Sequence, residues 1–144
     1  MGPLARPDLA ASFPLVLTCA KNSLFCNSQH RGVQALRKRA PDPEVELHPE
    51  TAKARGISSG DWVLITTQEG SIRAKASLNA NLHPRVVVGQ HGWWQGCEVQ
   101  GAPAYDPFGA EGTNFNLLIS GAILDPVSGT ASHRAYLCEV STVA

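Results

Sequence analysis

A chain of 144 residues, 43% hydrophobic and 17% charged, has the size and apolar content of one folded domain and not of a disordered segment. Its 12 basic and 12 acidic side chains cancel, which excludes a protein that is basic throughout and holds nucleic acid by bulk electrostatics. No apolar run reaches the roughly 18 to 20 residues of a membrane span.

Residues 1–12 carry Arg6 and Asp8 among prolines and have no continuous apolar core. They read as a linker and not as a signal peptide, which gives the cytoplasm as the expected compartment, or the periplasm if a parent enzyme is exported. Residues 13–144 read as a single domain. Pro14-Leu15-Val16-Leu17-Thr18 is a short apolar run opened by proline and followed by the polar stretch Cys19 to Arg31, the pattern of a buried strand passing into a loop. Val33, Leu36 and Ala40 are spaced for one helical face, with Arg37, Lys38 and Arg39 on the solvated side. Residues 44–47 form a second short strand. Residues 48–56 have proline at the first helical position, Glu50 in the first turn, a basic residue in the last turn and Gly56 just beyond, as a two-turn helix requires.

Residues 62–67 and 71–78, joined through Glu69-Gly70, predict a β-hairpin. Its second strand alternates strictly, which turns Ile72, Ala74, Ala76 and Leu78 to the inner face. Residues 86–88 and 136–140 are the last two strands. The intervening segment 89–134 is rich in glycine, proline, asparagine and aromatics, and a stretch of this length without regular structure is expected to carry function. Short strands, one hairpin and small helices predict a mainly β fold, a compact barrel, since a parallel doubly wound sheet needs longer helices between its strands.

Little in the sequence points to independent catalysis. It contains no G-x-S-x-G, H-E-x-x-H, P-loop or Gly-rich dinucleotide fingerprint, and its acids are scattered over linkers and turns. The cysteines Cys19, Cys26, Cys97 and Cys138 include no C-x-x-C pair and read as buried or partly buried free thiols. The histidines show no H-x-x-x-H spacing, so no metal held by this chain alone is expected.

The zero net charge hides an uneven distribution. Between Asp8 and Asp42 the charged residues are Lys21, Arg31, Arg37, Lys38 and Arg39, with no acid; from Val86 onward Glu98, Asp106, Glu111, Asp125 and Glu139 face only Arg134. A basic first third suggests a surface that meets an anion. Lys21 and Arg31 sit among Asn, Ser and Gln, outside any charge run, and are the better ligand candidates. Asn22, Asn27, Gln29, Asn114 and Asn116 supply paired donors and acceptors for the edge of a heterocycle, while lysine and arginine suit phosphate oxygens. Together they fit a nucleotide-like or pterin-like ligand with a pyrophosphate.

Three stretches resemble one family. Residues 45–63, Val45-Glu46-Leu47-His48-Pro49-Glu50-Thr51-Ala52-Lys53-Ala54-Arg55-Gly56-Ile57-Ser58-Ser59-Gly60-Asp61-Trp62-Val63, are similar to the signature of the molybdopterin dinucleotide-binding domain. That domain closes the C-terminal end of the dimethyl sulfoxide reductase, formate dehydrogenase and nitrate reductase superfamily of molybdenum and tungsten oxidoreductases. Phe13 to Thr18 with Ser28-Gln29-His30-Arg31 resembles its first strand and cofactor loop, and Asn114-Phe115-Asn116-Leu117-Leu118, followed by Asp125-Pro126 and Ser128-Gly129, resembles its terminal motif. The three lie in register across residues 13 to 140.

The resemblance implies a six-stranded double-psi β-barrel with short connecting helices, in which Asp61 caps backbone donors instead of acting as a catalytic acid. It implies that Thr18, Cys19, Ala20 and Lys21, in the loop after the first strand, meet the pterin and pyrophosphate of a molybdopterin guanine dinucleotide. Ser28, Gln29, His30 and Arg31 would line the same groove. Asn116, with Asn114, would bond the pterin or guanine edge, and Arg134 stands where the family often has a basic residue near the cofactor. His91-Gly92-Trp93-Trp94 resembles a tryptophan-containing segment of several members, which makes His91 and Trp93 candidate contacts; the alternatives are that the tryptophans cover the barrel end or meet the rest of an enzyme.

The family usually has threonine, glycine and arginine after the first strand, where this chain has Thr18-Cys19-Ala20-Lys21. Lysine keeps the charge without the two-pronged geometry of arginine. The metal ligand belongs to another domain of the family, so no catalytic or metal-binding residue is assigned here. The expectation is a cofactor-binding C-terminal domain or small subunit of a larger molybdenum or tungsten oxidoreductase, whose partners are the remaining catalytic domains or large subunit. The groove should be incomplete in the isolated chain, so that the cofactor is held weakly or lost on purification. The rivals are a double-psi barrel that recognises proteins without a cofactor, and a small self-processed enzyme, for which the only Gly-Ser step is Gly70-Ser71, in a hairpin turn.

Overall fold

The computed structural model describes residues 6–109, 112–122, 124–131 and 134–143. The first five residues of the expected linker, and Glu111 and His133, lie outside them. Within that linker Pro7–Ala10 forms one helical turn (α1), entered by an Arg6 guanidinium that donates to the Asp8 carboxylate at 2.6 to 3.1 Å.

Six strands follow: β1 (Leu15–Ala20), β2 (Glu44–Leu47), β3 (Trp62–Thr66), β4 (Ser71–Leu78), β5 (Val86–Gln90) and β6 (Tyr136–Thr142). They close in the order β1-β5-β2-β4-β3-β6, which is the six-stranded barrel the sequence predicts. The β1/β5 and β2/β4 pairs are parallel and the other four pairs antiparallel, so the chain crosses the barrel between sequential strands. No helix of the described residues is long and apolar enough to cross a membrane.

Alternation builds the core. Leu15 and Leu17, Val45 and Leu47, Val63 and Ile65, Ile72, Ala74 and Ala76, and Val87 turn inward at every second position and are buried. Each fully buried branched side chain contributes about 1.5–3 kcal/mol relative to an exposed one. The inward face of β4 ends one residue early, because Leu78 leaves the barrel and is 39% exposed. Gly89 stands on the inner face of β5, where a Cβ would come within 2.9 Å of Phe115 Cε2. That ring, on the 3-10 turn Phe115–Leu118, closes the end of the barrel.

Helix α3 (Pro49–Lys53) starts as expected, with Pro49 in the first turn and His48 as N-cap, its Nδ1 accepting the Glu50 amide at 3.2 Å. Gly56 follows at φ +65°, the left-handed conformation that ends the helix. The Thr51 hydroxyl donates to the Pro84 carbonyl, and Arg55 forms a two-pronged pair with Glu139 of β6 at 2.5 and 3.1 Å. The Asp61 carboxylate accepts the Ser58 amide at 2.7 Å, the capping use expected of it.

Two expectations are corrected. Helix α2 (Gln34–Arg39) keeps Lys38 and Arg39 in water as expected, but it lays neither Val33 on the core nor Arg37 on the solvated side; Val33 is 44% exposed and Arg37 is 2% exposed. The reason is a set of carbonyls at the barrel end that a guanidinium can satisfy and a valine cannot. β1 also runs past Thr18, because Thr18, Cys19 and Ala20 stay paired with Val88, Gly89 and Gln90 of β5; the loop begins at Lys21. Among the cysteines, Cys97 and Cys138 are buried and Cys19 half-buried, but Cys26 is exposed.

Candidate functional site

β1 and β5 run parallel, so their C-terminal ends open at the same rim, and β6, antiparallel to β1, begins there. Lys21 leaves β1, His91 leaves β5, and Arg134 stands two residues before β6. Two hollows meet at this rim. One, of about 460 Å³, is lined by Asn27, Ser28, His91, Gly92, Trp94, Asn114, Phe115 and Asn116. The other, of about 640 Å³, is lined by Cys19, Lys21, His91, Phe115, Asn116 and Arg134. His91, Phe115 and Asn116 belong to both, so the two form one groove open to solvent along the rim.

The lining has a consistent chemistry. Lys21 and Arg134 are exposed cations at one end, and no carboxylate lines the groove among the described residues. Asn27, Asn114 and Asn116 bring amides, and Trp94 an aromatic face. Asn114 is itself buried and committed: its Oδ1 accepts the Asn116 amide at 3.1 Å and its Nδ2 donates to the Pro107 carbonyl at 2.7 Å. It caps the 3-10 turn and thereby presents Asn116, which is exposed.

Of the residues expected from the sequence, Cys19, Lys21, Ser28, His91, Asn114, Asn116 and Arg134 meet in this groove. Thr18 and Ala20 are strand residues outside its lining, and Gln29 and His30 are exposed beside it, His30 at φ +72°. Arg31 and Trp93 lie behind the wall, each 1% exposed. Asn27, read from the sequence as one of the loop amides, also lines it, and Gly92, Trp94 and Phe115 complete the lining without having been expected as contacts, although Gly92 and Trp94 are neighbours of Trp93, and Phe115 stands between the two asparagines.

Behind the wall two guanidiniums share one ring. Arg31 Cζ lies 4.6 Å and Arg37 Cζ 5.0 Å from the centroid of Trp93, and Arg31 also lies 4.4 Å from that of Phe25. Phe25 and Trp93 meet edge to face at 5.6 Å. Arg31 donates to the carbonyls of Asn27 at 2.7 Å and His91 at 2.8 Å; Arg37 donates to those of Pro41 at 2.6 Å and Gln95 at 3.0 Å. No carboxylate of the described residues pairs with either. Burial first, and Arg37 second, lower the Arg31 pKa to about 10, which leaves it cationic at neutral pH.

Gly92 makes this wall thin. It has φ +79°, and a Cβ would stand 2.6 Å from Ser28 Cα. Gly92→Ala is therefore expected to lower stability by about 1–3 kcal/mol and to displace Ser28, read as a lower urea midpoint with amide shifts centred on residues 27–29.

The comparisons with known proteins follow this geometry. The family model "Molydopterin dinucleotide binding domain" matches residues 15–137. The chain is 35% identical to dopamine dehydroxylase of Eggerthella lenta over 134 residues, 92% of this chain and 13% of that protein. It is 31% identical to acetylene hydratase of Syntrophotalea acetylenica over 147 residues, 94% of this chain and 20% of that protein. The solved structure of acetylene hydratase from Pelobacter acetylenicus superposes on 99% of this chain and 20% of its own with a TM-score of 0.84 at 24% identity, a likeness of fold. The chain thus spans about an eighth to a fifth of the length of these relatives. The barrel, the groove at its rim and the match along 15–137 lead to one conclusion: this chain belongs to the Molydopterin dinucleotide binding domain family.

Proposed function

We propose that the domain holds the guanine dinucleotide form of the molybdopterin cofactor along this groove, as the C-terminal domain or small subunit of a larger molybdenum or tungsten oxidoreductase. One observation carries the reading: Lys21 and Arg134 share a single groove with the amides of Asn27 and Asn116 and the ring of Trp94. The residues fit the group. Lys21 and Arg134 suit the pyrophosphate, the Asn116 amide offers a donor and an acceptor to a heterocycle edge, and Trp94 offers a face for stacking. The cofactor brings the metal and the redox chemistry, while this chain binds and orients it. Phe115, buried beneath the groove, keeps water from entering the barrel under the ligand. The family match favours cofactor binding over a protein-recognition barrel.

GDP reproduces the nucleotide half of the proposed ligand, and CDP differs from it only in the base. Titration of the 144-residue chain, followed by amide and side-chain NMR, should give saturable shifts at Lys21, Asn116 and Arg134 with GDP in the millimolar range or tighter, about −4 kcal/mol or better. CDP should bind at least about fivefold more weakly, the loss of roughly one heterocycle hydrogen bond. Equal affinities overturn the guanine assignment, and shifts confined to other faces overturn the groove.

A further inference from the structure

Arg31 lies behind the groove but fastens two segments that form it. Asn27 and His91 are far apart in sequence, yet the Arg31 guanidinium donates Nη1 to the Asn27 carbonyl at 2.7 Å and Nη2 to the His91 carbonyl at 2.8 Å. Asn27 is held at φ +51°, which turns the chain so that Ser28 reaches the groove. On the other side His91 leads directly into Gly92, packed so closely on Ser28 that no Cβ fits between them. The guanidinium cannot slide, because Phe25 and Trp93 cover it at 4.4 and 4.6 Å. The Arg31 amide is also tied, donating to Gln95 Oε1 at 3.2 Å.

We propose that Arg31 is a positioning residue: its planar fork sets the spacing between the 27–28 loop and the 91–92 turn, and so the width of the groove. It does not touch the ligand itself. A planar five-donor fork can hold two carbonyls of different segments in fixed register, whereas an ammonium is a point donor on a flexible stem. The inference rests on the reading of this groove as the ligand site, and it assigns Arg31 to the wall where the sequence resemblance alone places it among cofactor contacts. Arg37, stacked on the same Trp93 and bonded to the carbonyls of Pro41 and Gln95, braces the layer behind.

The test is Arg31→Lys in the full chain, with two readouts. In hydrogen exchange, the Gln29 amide, bonded to the Cys26 carbonyl, and the Val33 amide, bonded to the His30 carbonyl, should exchange at least tenfold faster. The paired amides of β3 and β4 should stay within twofold of the unaltered chain. In titration, GDP affinity should fall about tenfold although the charge is kept. Uniform acceleration of all amides, or none, overturns the proposal, as does unchanged GDP affinity. If the unaltered chain binds no GDP, the cofactor reading fails while the exchange pattern still decides the role of Arg31. If Arg31→Lys does not fold, the unaltered chain decides: individually resolved, slowly rotating Arg31 Nη resonances support the fork, and a single averaged signal overturns it.

Discussion

Trp93→Ala is expected to lower the stability of the chain by about 3–5 kcal/mol, a large part of the roughly 5–15 kcal/mol that holds a domain of this size. The side chain is 1% exposed and its indole Nε1 donates to Gln90 Oε1 at 3.0 Å. Truncation opens a cavity, removes the edge-to-face contact with Phe25 and strips the aromatic cover from two buried guanidiniums. These have no carboxylate of the described residues beside them, so their backbone carbonyl acceptors and, for Arg31, the Phe25 ring are what remain to offset their desolvation. Urea unfolding followed by far-UV circular dichroism measures the effect. Trp93→Phe, which keeps a ring and loses the indole hydrogen bond, should cost less than half as much. A loss under about 1 kcal/mol for Trp93→Ala would show that the arginines are held by their carbonyls alone.

The second large effect is on ligand affinity and leaves the fold in place. Lys21→Ala and Arg134→Ala should each weaken GDP binding about tenfold, and the double substitution about a hundredfold, because each removes one charge-assisted contact to a phosphate. Both side chains are exposed at the rim, and Lys21→Ala should alter stability by no more than about 0.5 kcal/mol. Binding to the unaltered chain should weaken with added salt, and that dependence should shrink in the double variant, as screening of exposed charges requires. Calorimetry at two ionic strengths reads both effects. Unchanged affinity in the double variant would remove the pyrophosphate from this end of the groove.

Much of the barrel is readable in the chain before it folds. Ile72, Ala74 and Ala76 alternate with Arg73 and Lys75, and Val63 and Ile65 face them across a glycine-containing reversal, so hairpin, register and inner face follow from a period of two. His48-Pro49, Glu50 and Gly56 mark both ends of α3 by local chemistry alone. The groove was legible in kind: Lys21, Asn116 and Arg134 are cations and amides on loops, and seven of the expected residues meet at one rim. Spacing along the chain did not separate groove residues from those behind them. Thr18 and Ala20 stay in β1 only because β5 happens to be long enough to pair with them.

Arg31 and Arg37 mark the boundary most clearly. In the sequence Arg31 reads as a ligand contact and Arg37 as a solvated residue of a basic run, and the helix α2 pattern offers Val33 and Leu36 as the buried face. What turns the two guanidiniums inward is a set of partners distant in sequence, the carbonyls of His91 and Gln95 and the rings of Phe25 and Trp93. By itself, then, the sequence determined the strands, the capped helix, the family and the kind of ligand chemistry, because periodicity, capping and residue type act over a few neighbouring positions. Only the tertiary structure decided which residues face the groove and which hold its wall, because a buried cation is tolerated solely where acceptors from remote segments converge to satisfy it.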